Sequence, residues 1–150
     1  MNTKELDGYL KFLSEKQTAV QESGFDVEDS DLNPLLFPFQ KYCVKRALKV
    51  GRFGMFEDCG SGKAIQSLEW AQQVINHINK PVLILAPLGV VGQTIKEGEK
   101  FGYKVTEIAI TTFDQDLDAG IYITNYDNMD NIDAYLFGGV VLDESSILKN

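Results

Sequence analysis

Short apolar runs alternate with longer segments of helical periodicity along most of the chain. Five of these runs predict strands: residues 53–57, 81–87, 104–110, 120–125 and 138–144. The runs at 82–86 and 139–142 are continuously apolar, which is typical of strands covered by helices on both faces. Between the first two runs, apolar residues recur at helical spacing from Ile65 to Ile78, until Lys80 and Pro81 end the helix. A strand, helix, strand crossover predicts a parallel sheet and an α/β fold.

The segment ahead of these strands predicts two further helices separated by an acidic stretch. A peripheral amphipathic helix within residues 4–22 is indicated by Leu6, Tyr9, Leu10, Leu13 and Val20. The stretch at 22–31 carries five carboxylates, and we expect a solvated linker that begins where Gly24 stops the helix. After Pro34, a loop leads into a second helix that Gly51 closes. We therefore divide the chain into an N-terminal helix and linker, 1–32, and one domain, 33–150.

Composition places the chain among soluble globular proteins. Its 150 residues are 44% hydrophobic and 24% charged, and one domain of this length buries roughly 70% of its unfolded surface. The net charge of -8 means that any nucleic-acid binding depends on a local basic patch. Such a patch is present at Lys41, Lys45, Arg46, Lys49 and Arg52. A solvated helix face is an equally good interpretation of these five residues.

Cysteine usage and the N-terminus indicate the compartment. Cys43 and Cys59 match no metal spacing and form no disulfide framework, which suits a reducing cytosol. The N-terminus lacks the basic start and apolar stretch of a signal peptide. No apolar run approaches the ~18 residues that a membrane span needs. We expect a cytoplasmic protein with no membrane partner.

The stretch "FEDCGSGKAIQSLEW", residues 56–70, indicates a phosphate cradle. Gly60 and Gly62 allow the backbone to approach an anion, the following helix contributes its N-terminal amides, and Lys63 adds a full positive charge. A plain glycine turn into a helix is the alternative. Two positions depart from GxxxxGK[ST], since Glu57 replaces the first glycine and Ala64 replaces the hydroxyl residue that ligates Mg²⁺. The departure at Ala64 matters more for the chemistry.

Two other short segments add candidate chemistry. The apolar run "GVVLDESS" delivers Asp143 and Glu144 at the end of a strand, where one carboxylate can hold Mg²⁺ and the other can orient water. An Asp-Glu pair in that place is by itself more often a solvated turn. In "LFPFQKY", the Gln40 amide can donate to and accept from an adenine edge, whereas Phe37 and Phe39 are more often core anchors.

Five motifs in order resemble those of a known family. They are "FPFQ", "EDCGSGKA", "LILAPLGVV", "ITNYDNM" and "VVLDESSILKN". Together they look like the first RecA-like lobe of superfamily 2 helicases and translocases, closest to the Swi/Snf-type branch and its phage and bacterial relatives. The branch has DEMGLGKT at the cradle, so Glu57 is normal there, and DEAHRLKN at the acidic motif. Ser146 replaces its usual histidine and Ala64 its threonine.

The resemblance implies a P-loop NTPase fold, a RecA-like three-layer sandwich with a mainly parallel sheet, and a set of site residues. The nucleotide contacts would be Gln40, Gly60, Ser61, Gly62, Lys63 and Ala64, with Gln40 reading adenine. Lys63, Asp143 and Glu144 would be catalytic, and Asp143 would serve Mg²⁺. The contacts to a nucleic-acid backbone would be Pro87, Leu88, Gly89, Thr124, Asn125 and Tyr126. DNA is favoured over RNA by analogy alone.

The implied function is that of an ATP-binding lobe in a DNA-dependent ATPase of helicase or translocase type. Such enzymes hydrolyse ATP between two RecA-like lobes, so we expect a second lobe in the same protein or in a partner. The 150 residues by themselves are expected to be inactive. The alternative is a non-hydrolysing binding module of P-loop fold, which holds nucleotide, nucleic acid or a protein partner. Under either function, we expect Gly60, Lys63, Asp143 and Glu144 to surround one anion-sized hollow.

Overall fold

The structure is a computed structural model that describes residues 6–8, 10–11, 21–54, 62–108 and 116–144. The helices are α1 (Pro38–Val50), α2 (Lys63–Ile78) and α3 (Leu88–Phe101). The strands are β1 (Val82–Ala86), β2 (Val105–Glu107), β3 (Ile121–Asn125) and β4 (Gly139–Leu142). Short 3-10 helices cover Asp29–Asp31, Tyr126–Asn131 and Ala134–Leu136. No described helix has the length and apolar character required to cross a membrane.

The four strands form one sheet in the order β2-β3-β1-β4, and every neighbouring pair is parallel. The α/β class and the parallel sheet predicted from the crossover are therefore confirmed. Leu85 of β1 lies opposite Thr124 of β3 on one side and opposite Leu142 of β4 on the other. Because all strands run the same way, their carboxyl ends meet at one edge. The residues that follow β1, β3 and β4 are thereby brought to the same end of the sheet.

The central strand β1 is buried along its whole length because each face meets a separate apolar cluster. Val82, Ile84 and Ala86 face the larger cluster, which includes residues from α1, α2 and α3. Leu83 and Leu85 face a smaller cluster with Ile108 and Phe137, bordered by residues of the two later 3-10 helices. The continuous apolar run at 82–86 therefore has the burial that its composition predicts.

The same prediction was wrong for residues 139–142. In β4, Val140 and Leu142 are 40% and 48% exposed, while Gly139 and Val141 are partly buried. Trp70 of α2 packs so closely on Gly139 that a Cβ there would lie 2.8 Å from the indole. Among the described strands β4 is at the sheet edge, and the exposure alternates because only the face towards α2 is well covered. The first predicted strand, 53–57, is not tested beyond Phe53 and Gly54, which lie outside any strand, because 55–57 are outside the described residues.

The five carboxylate residues of the acidic stretch are exposed, yet backbone hydrogen bonds hold the stretch against α1. The amides of Ser23, Gly24 and Phe25 donate to the carbonyls of Val50, Lys49 and Leu48 at 3.3, 3.1 and 3.0 Å. These bonds satisfy carbonyls that the end of α1 leaves without helical partners. Glycine is required at position 24, because a Cβ there would lie 1.7 Å from the Leu48 oxygen. The Phe25 ring also stacks on His77, with ring centroids 3.8 Å apart.

The predicted N-terminal helix is described only in part. Residues 6–8 and 10–11 are helical, and Gln21 and Glu22 are not. Leu6 and Leu10 are 43% and 53% exposed, so these two side chains are not buried as an amphipathic face would predict. The rest of the predicted helix lies outside the described residues.

Candidate nucleotide site at the carboxyl edge of the sheet

The start of α2 has the backbone form of an anion-binding turn. Gly62 is the N-cap residue, with φ of 80°, a left-handed conformation that glycine adopts without strain. No side chain caps this end of the helix, and its first turn holds no acidic residue. The amides of the first turn and the charge of Lys63 thus suit an anion. Of the predicted cradle, Gly60 and Ser61 lie outside the described residues.

Asp143 follows β4 at the carboxyl edge of the sheet. Its amide donates to the Leu85 carbonyl at 2.8 Å, which extends the pairing of β4 with β1 by one residue. Burial and the neighbouring Glu144 carboxylate raise the pKa of Asp143, while the charge of Lys63 pulls that pKa down. The charge of Lys63 therefore acts on Asp143.

Glu144 adopts a backbone conformation that is rare for its residue type. Its φ is 50°, in the left-handed region, and its side chain is exposed. Non-glycine residues in such regions cost of order 1–3 kcal/mol and cluster at functional sites. The backbone N–H of Glu144 also bonds to the Asp143 carboxylate, which favours the charged form of Asp143. The turn after β4 thus presents two adjacent carboxylates at the site.

Gln40 of α1 lies directly against the cradle. Its Oε1 accepts a hydrogen bond from the Phe37 amide at 2.8 Å, and the residue is only 5% exposed. A Cβ on Gly62 would lie 2.3 Å from Gln40 Nε2, so only glycine leaves room for this amide. Phe37 and Phe39 are not core anchors: they are 65% and 49% exposed and stack on each other. The structure therefore brings Gln40 against the start of α2.

The residues predicted to face a nucleic-acid backbone follow β1 and β3 at the same edge. Pro87 caps α3, whose first two residues, Leu88 and Gly89, are exposed. Thr124, in contrast, is 1% exposed, and its Oγ1 accepts a hydrogen bond from Asn128 Nδ2 at 2.7 Å. As placed, the Thr124 side chain cannot face a nucleic acid.

Asn125 and Tyr126 are also engaged within the protein. The Asn125 side chain accepts from the Asp127 amide at 2.9 Å and so caps the 3-10 helix Tyr126–Asn131. The Tyr126 hydroxyl donates to the Asp143 carbonyl at 2.6 Å. Burial, followed by the charges of Asp143 and Glu144, raises the pKa of Tyr126, which keeps the hydroxyl protonated as a donor. Tyr126 thus holds the acidic turn in place, a role that its position in the sequence did not indicate.

The described residues fit a metal only in combination with other oxygen ligands. No group of three or more His, Cys, Asp or Glu side chains that could hold a metal occurs in the described ranges. Asp143 and Glu144 supply carboxylate oxygens, which Mg²⁺ prefers, and Mg²⁺ commonly completes its shell with water and phosphate oxygens. Ala64 offers no oxygen from its side chain. A phosphate-bound Mg²⁺ on Asp143 fits this donor set, and an all-protein metal cage does not.

Comparisons with known proteins add no family assignment. No protein-family model matches the sequence, and no curated protein sequence matches it. The function proposed below therefore depends on the geometry and on the motifs themselves.

Replacing Asp143 by asparagine is expected to stabilise the ligand-free protein. The folded state raises the pKa of Asp143, so its charged form costs stability above that pKa, and the cost disappears as pH falls through it. Asp143→Asn removes the charge. Because Asp143 is partly exposed, we expect a gain of about 0.5–1 kcal/mol near neutral pH, or roughly 1–4 °C in Tm.

Thermal unfolding in chelator, from neutral to acid pH, measures this gain. The advantage of Asp143→Asn should shrink as pH falls towards and below the raised pKa of Asp143. Asp130→Asn removes a carboxylate from an exposed residue and serves as the matched control. A variant that is less stable than the wild type at neutral pH would contradict the expected cost of this carboxylate.

Proposed function

We propose that the chain is the ATP-binding lobe of a DNA-dependent ATPase of helicase or translocase type, with the RecA-like three-layer fold of P-loop NTPases. The observation that carries the proposal is the glycine-capped start of α2, whose first turn holds Lys63 and no acidic residue, together with Asp143 and Glu144 directly after β4 at the carboxyl edge of the sheet. A cation with helix amides on one side and a carboxylate on the other is the arrangement that a phosphate-bound metal requires. Ligands of open parallel sheets bind at this edge.

Each residue has a distinct task in the proposed complex. The first-turn amides of α2 and Lys63 hold the phosphates, and Gln40, already packed on Gly62, contacts the nucleotide. Asp143 holds Mg²⁺, which when bound neutralises charge on the transferred phosphoryl group. Glu144 orients the attacking water. Tyr126 fixes the position of the turn that carries Asp143 and Glu144, by its hydrogen bond to the Asp143 carbonyl.

DNA is the proposed polymer, and the exposed start of α3 is where it lies. Leu88 is 66% exposed, and Gly89 offers its backbone to phosphate oxygens without a side chain in the way. Phosphate contacts of this kind position a strand without reading its sequence. A second RecA-like lobe, in the same protein or in a partner, supplies the arginines for hydrolysis. The half-buried thiol of Cys43 suits the reducing cytoplasm that we propose as the compartment.

A non-hydrolysing binding module is the second candidate, and Ala64 is the observation that favours it. The first turn of α2 can hold an anion without the Ser or Thr hydroxyl, but Mg²⁺ then loses one inner-shell oxygen. Under this alternative, the lobe retains nucleotide, nucleic acid or a protein partner without chemistry. The two functions differ in how nucleotide affinity depends on the metal.

Restoring the missing oxygen tests the proposed site. Ala64→Thr is expected to tighten Mg²⁺-ATP binding by about tenfold, while affinity for ATP in chelator changes little, because only the metal contacts the new ligand. Titration calorimetry of both proteins, with Mg²⁺ and with chelator, measures the two affinities. Ala134→Thr, on an exposed residue of the last 3-10 helix, is the matched control and should change neither value.

The outcomes separate the two functions from a plain turn. Weak Mg²⁺-ATP binding that Ala64→Thr strengthens shows a nucleotide site that lacks a metal ligand, which favours the binding module for this chain. Binding that is equal in the two proteins shows that Ala64 is a tolerated variation and does not damage the site. An ATP affinity that is the same in Lys63→Ala and in the wild type would contradict the proposed nucleotide site.

A further inference from the structure

One face of α1 carries four of the positive charges of the described chain in a short helical row. Its members are Lys41, Tyr42, Lys45, Arg46 and Lys49, which we call the basic face. They recur at intervals of three and four residues, so they lie on one side of the helix, over about 12 Å of its length. The opposite side of α1 holds Gln40, Val44, Ala47 and Leu48, which are buried. Tyr42, in contrast, is 71% exposed.

The basic face forms the floor of a groove of about 620 Å³. Leu36 and Pro38 also line it, as do Asp26 and Asp29 of the acidic stretch, which we call the acidic wall. The groove is therefore lined by an aromatic ring and cations on α1 and by carboxylates of the acidic wall. It lies on the side of α1 that turns away from Gln40, so it is separate from the proposed nucleotide site.

The acidic wall pairs with the basic face, and the pairs are weak. Lys45 contacts Asp29 at 2.7 Å, whereas Lys49 lies 3.5 Å from Asp26. Glu22 lies 3.6 Å from Arg46 and 3.9 Å from Lys49. The side chains of all six residues are at least 39% exposed, and exposed pairs contribute little and are screened by salt. Lys41 has no carboxylate within 4.0 Å in the described part of the chain.

We propose that the basic face binds single-stranded nucleic acid, with phosphates on its cations and a base stacked on Tyr42, and that the acidic wall competes with the phosphates. The competition follows from the anchoring of the acidic stretch. Backbone bonds from Ser23, Gly24 and Phe25 hold this stretch beside α1, so its carboxylates stay at high local concentration. A polyanion must therefore exchange several weak intramolecular pairs for its own contacts, and it gains from counterion release when it does so.

The exposed aromatic ring is what favours nucleic acid over an acidic protein segment. Single-stranded binding surfaces combine a cationic track with rings on which bases stack, and each stacked base contributes strongly to affinity. Tyr42 lies within the row of cations with its ring in solvent, whereas a site for carboxylates alone has no use for the ring. The local charge matters because the chain as a whole carries -8 and repels phosphate. This inference does not depend on the proposed ATP site.

Fluorescence anisotropy with a short labelled oligothymidylate, without nucleotide or metal, tests the proposal on the full chain. Lys45→Gln with Lys49→Gln is expected to weaken binding at low salt by about tenfold and to reduce the salt slope by about 1.4, since each phosphate contact to a single strand adds about 0.7. Lys96→Gln with Lys104→Gln removes the same charge from exposed residues elsewhere and should leave affinity within about twofold.

Two further pairs of variants separate stacking from charge. Tyr42→Ala should weaken binding by about 5- to 100-fold, and Tyr42→Phe, which keeps the ring, should retain the wild-type affinity. Asp26→Asn with Asp29→Asn removes two carboxylates of the wall and should tighten binding by about 2- to 5-fold. These residues are exposed, and circular dichroism checks that every variant keeps the wild-type fold.

Three results would overturn the proposal. The first is equal weakening in the two double-lysine variants, which would make the effect one of net charge. The second is unchanged affinity in Tyr42→Ala together with equal competition by polyglutamate, which would make the face a general surface for acidic chains. The third is weaker binding in the Asp26 and Asp29 variant, which would exclude competition by the acidic wall.

Discussion

Replacing Glu69 by leucine is expected to lower the free energy of unfolding by about 3–5 kcal/mol. Glu69 is 2% exposed in the middle of α2, and its carboxylate is the centre of a buried polar network. Its Oε1 accepts from the Asn33 amide at 3.3 Å and from Gln73 Nε2 at 2.8 Å. Its Oε2 accepts from the Tyr103 hydroxyl. Leucine has a similar volume, but it leaves these three donors without the acceptor that they share.

The network joins three parts of the chain, so the loss should be cooperative. Asn33 Nδ2 also donates to the Phe101 carbonyl and to the Tyr103 hydroxyl, both at 3.1 Å. Gln73 Nε2 reaches the Asp31 carbonyl at 2.8 Å. The end of the acidic stretch, α2 and the end of α3 therefore depend on one carboxylate. Burial and the Glu69 charge raise the pKa of Tyr103, so its hydroxyl remains a donor throughout the ordinary pH range.

Urea unfolding of Glu69→Leu against the wild type measures the loss. A decrease of this size corresponds to roughly 6–20 °C in Tm and is a large part of the 5–15 kcal/mol typical of a domain. Glu99→Leu, at an exposed position of α3, is the matched control. Tyr103→Phe and the Glu69→Leu/Tyr103→Phe double variant complete a double-mutant cycle. A coupling energy near zero would show that the hydrogen bond between Tyr103 and Glu69 contributes nothing to the loss of stability. A Glu69→Leu protein as stable as the wild type would contradict the network's importance.

The 150-residue chain is expected to hydrolyse ATP at a negligible rate, with or without DNA. In related phosphoryl transfers, an arginine supplied from outside the nucleotide-binding lobe contributes roughly 10³ to 10⁵ in rate. Under the proposed function, that arginine comes from a second lobe, and Ala64 removes a metal ligand as well. The chain should therefore bind nucleotide more readily than it turns it over. Phosphate release from pure chain, with excess ATP and Mg²⁺, measures the rate.

A Lys63→Ala variant is the control for this measurement. Turnover that is equal in the variant and the wild type comes from a contaminant, because Lys63 is the cation that holds the phosphates in the proposed site. A DNA-stimulated rate of about 1 per second that disappears in Lys63→Ala would contradict the expected inactivity. That result would mean that a cation of the chain itself stabilises the charge of the transition state, without a second lobe.

The four strands, α1 and α2 could be predicted because the signals are local, whereas α3 was not predicted. The apolar spacing from Ile65 onwards predicted α2, and Ile65, Leu68, Ala71 and Val74 are indeed buried. Four strand predictions coincide with β1 to β4, and the crossover predicted their parallel direction. Whether the motifs form a nucleotide site stays a prediction, since the first part of the cradle lies outside the described residues. The effect of the Lys63 charge on the pKa of Asp143 agrees with it.

By itself, the sequence determined the four strands, α1, α2 and the parallel direction of the sheet. Periodicity records which side of an element is apolar, and short crossovers leave little choice of direction. The tertiary structure alone decided that Thr124 is buried, that Tyr126 holds the Asp143 carbonyl, and that Glu69 anchors Asn33. It also held the exposed acidic stretch against α1 through backbone hydrogen bonds. Apart from the burial of Thr124, each of these depends on a hydrogen bond between residues far apart in the chain, and no local pattern specifies such a partner.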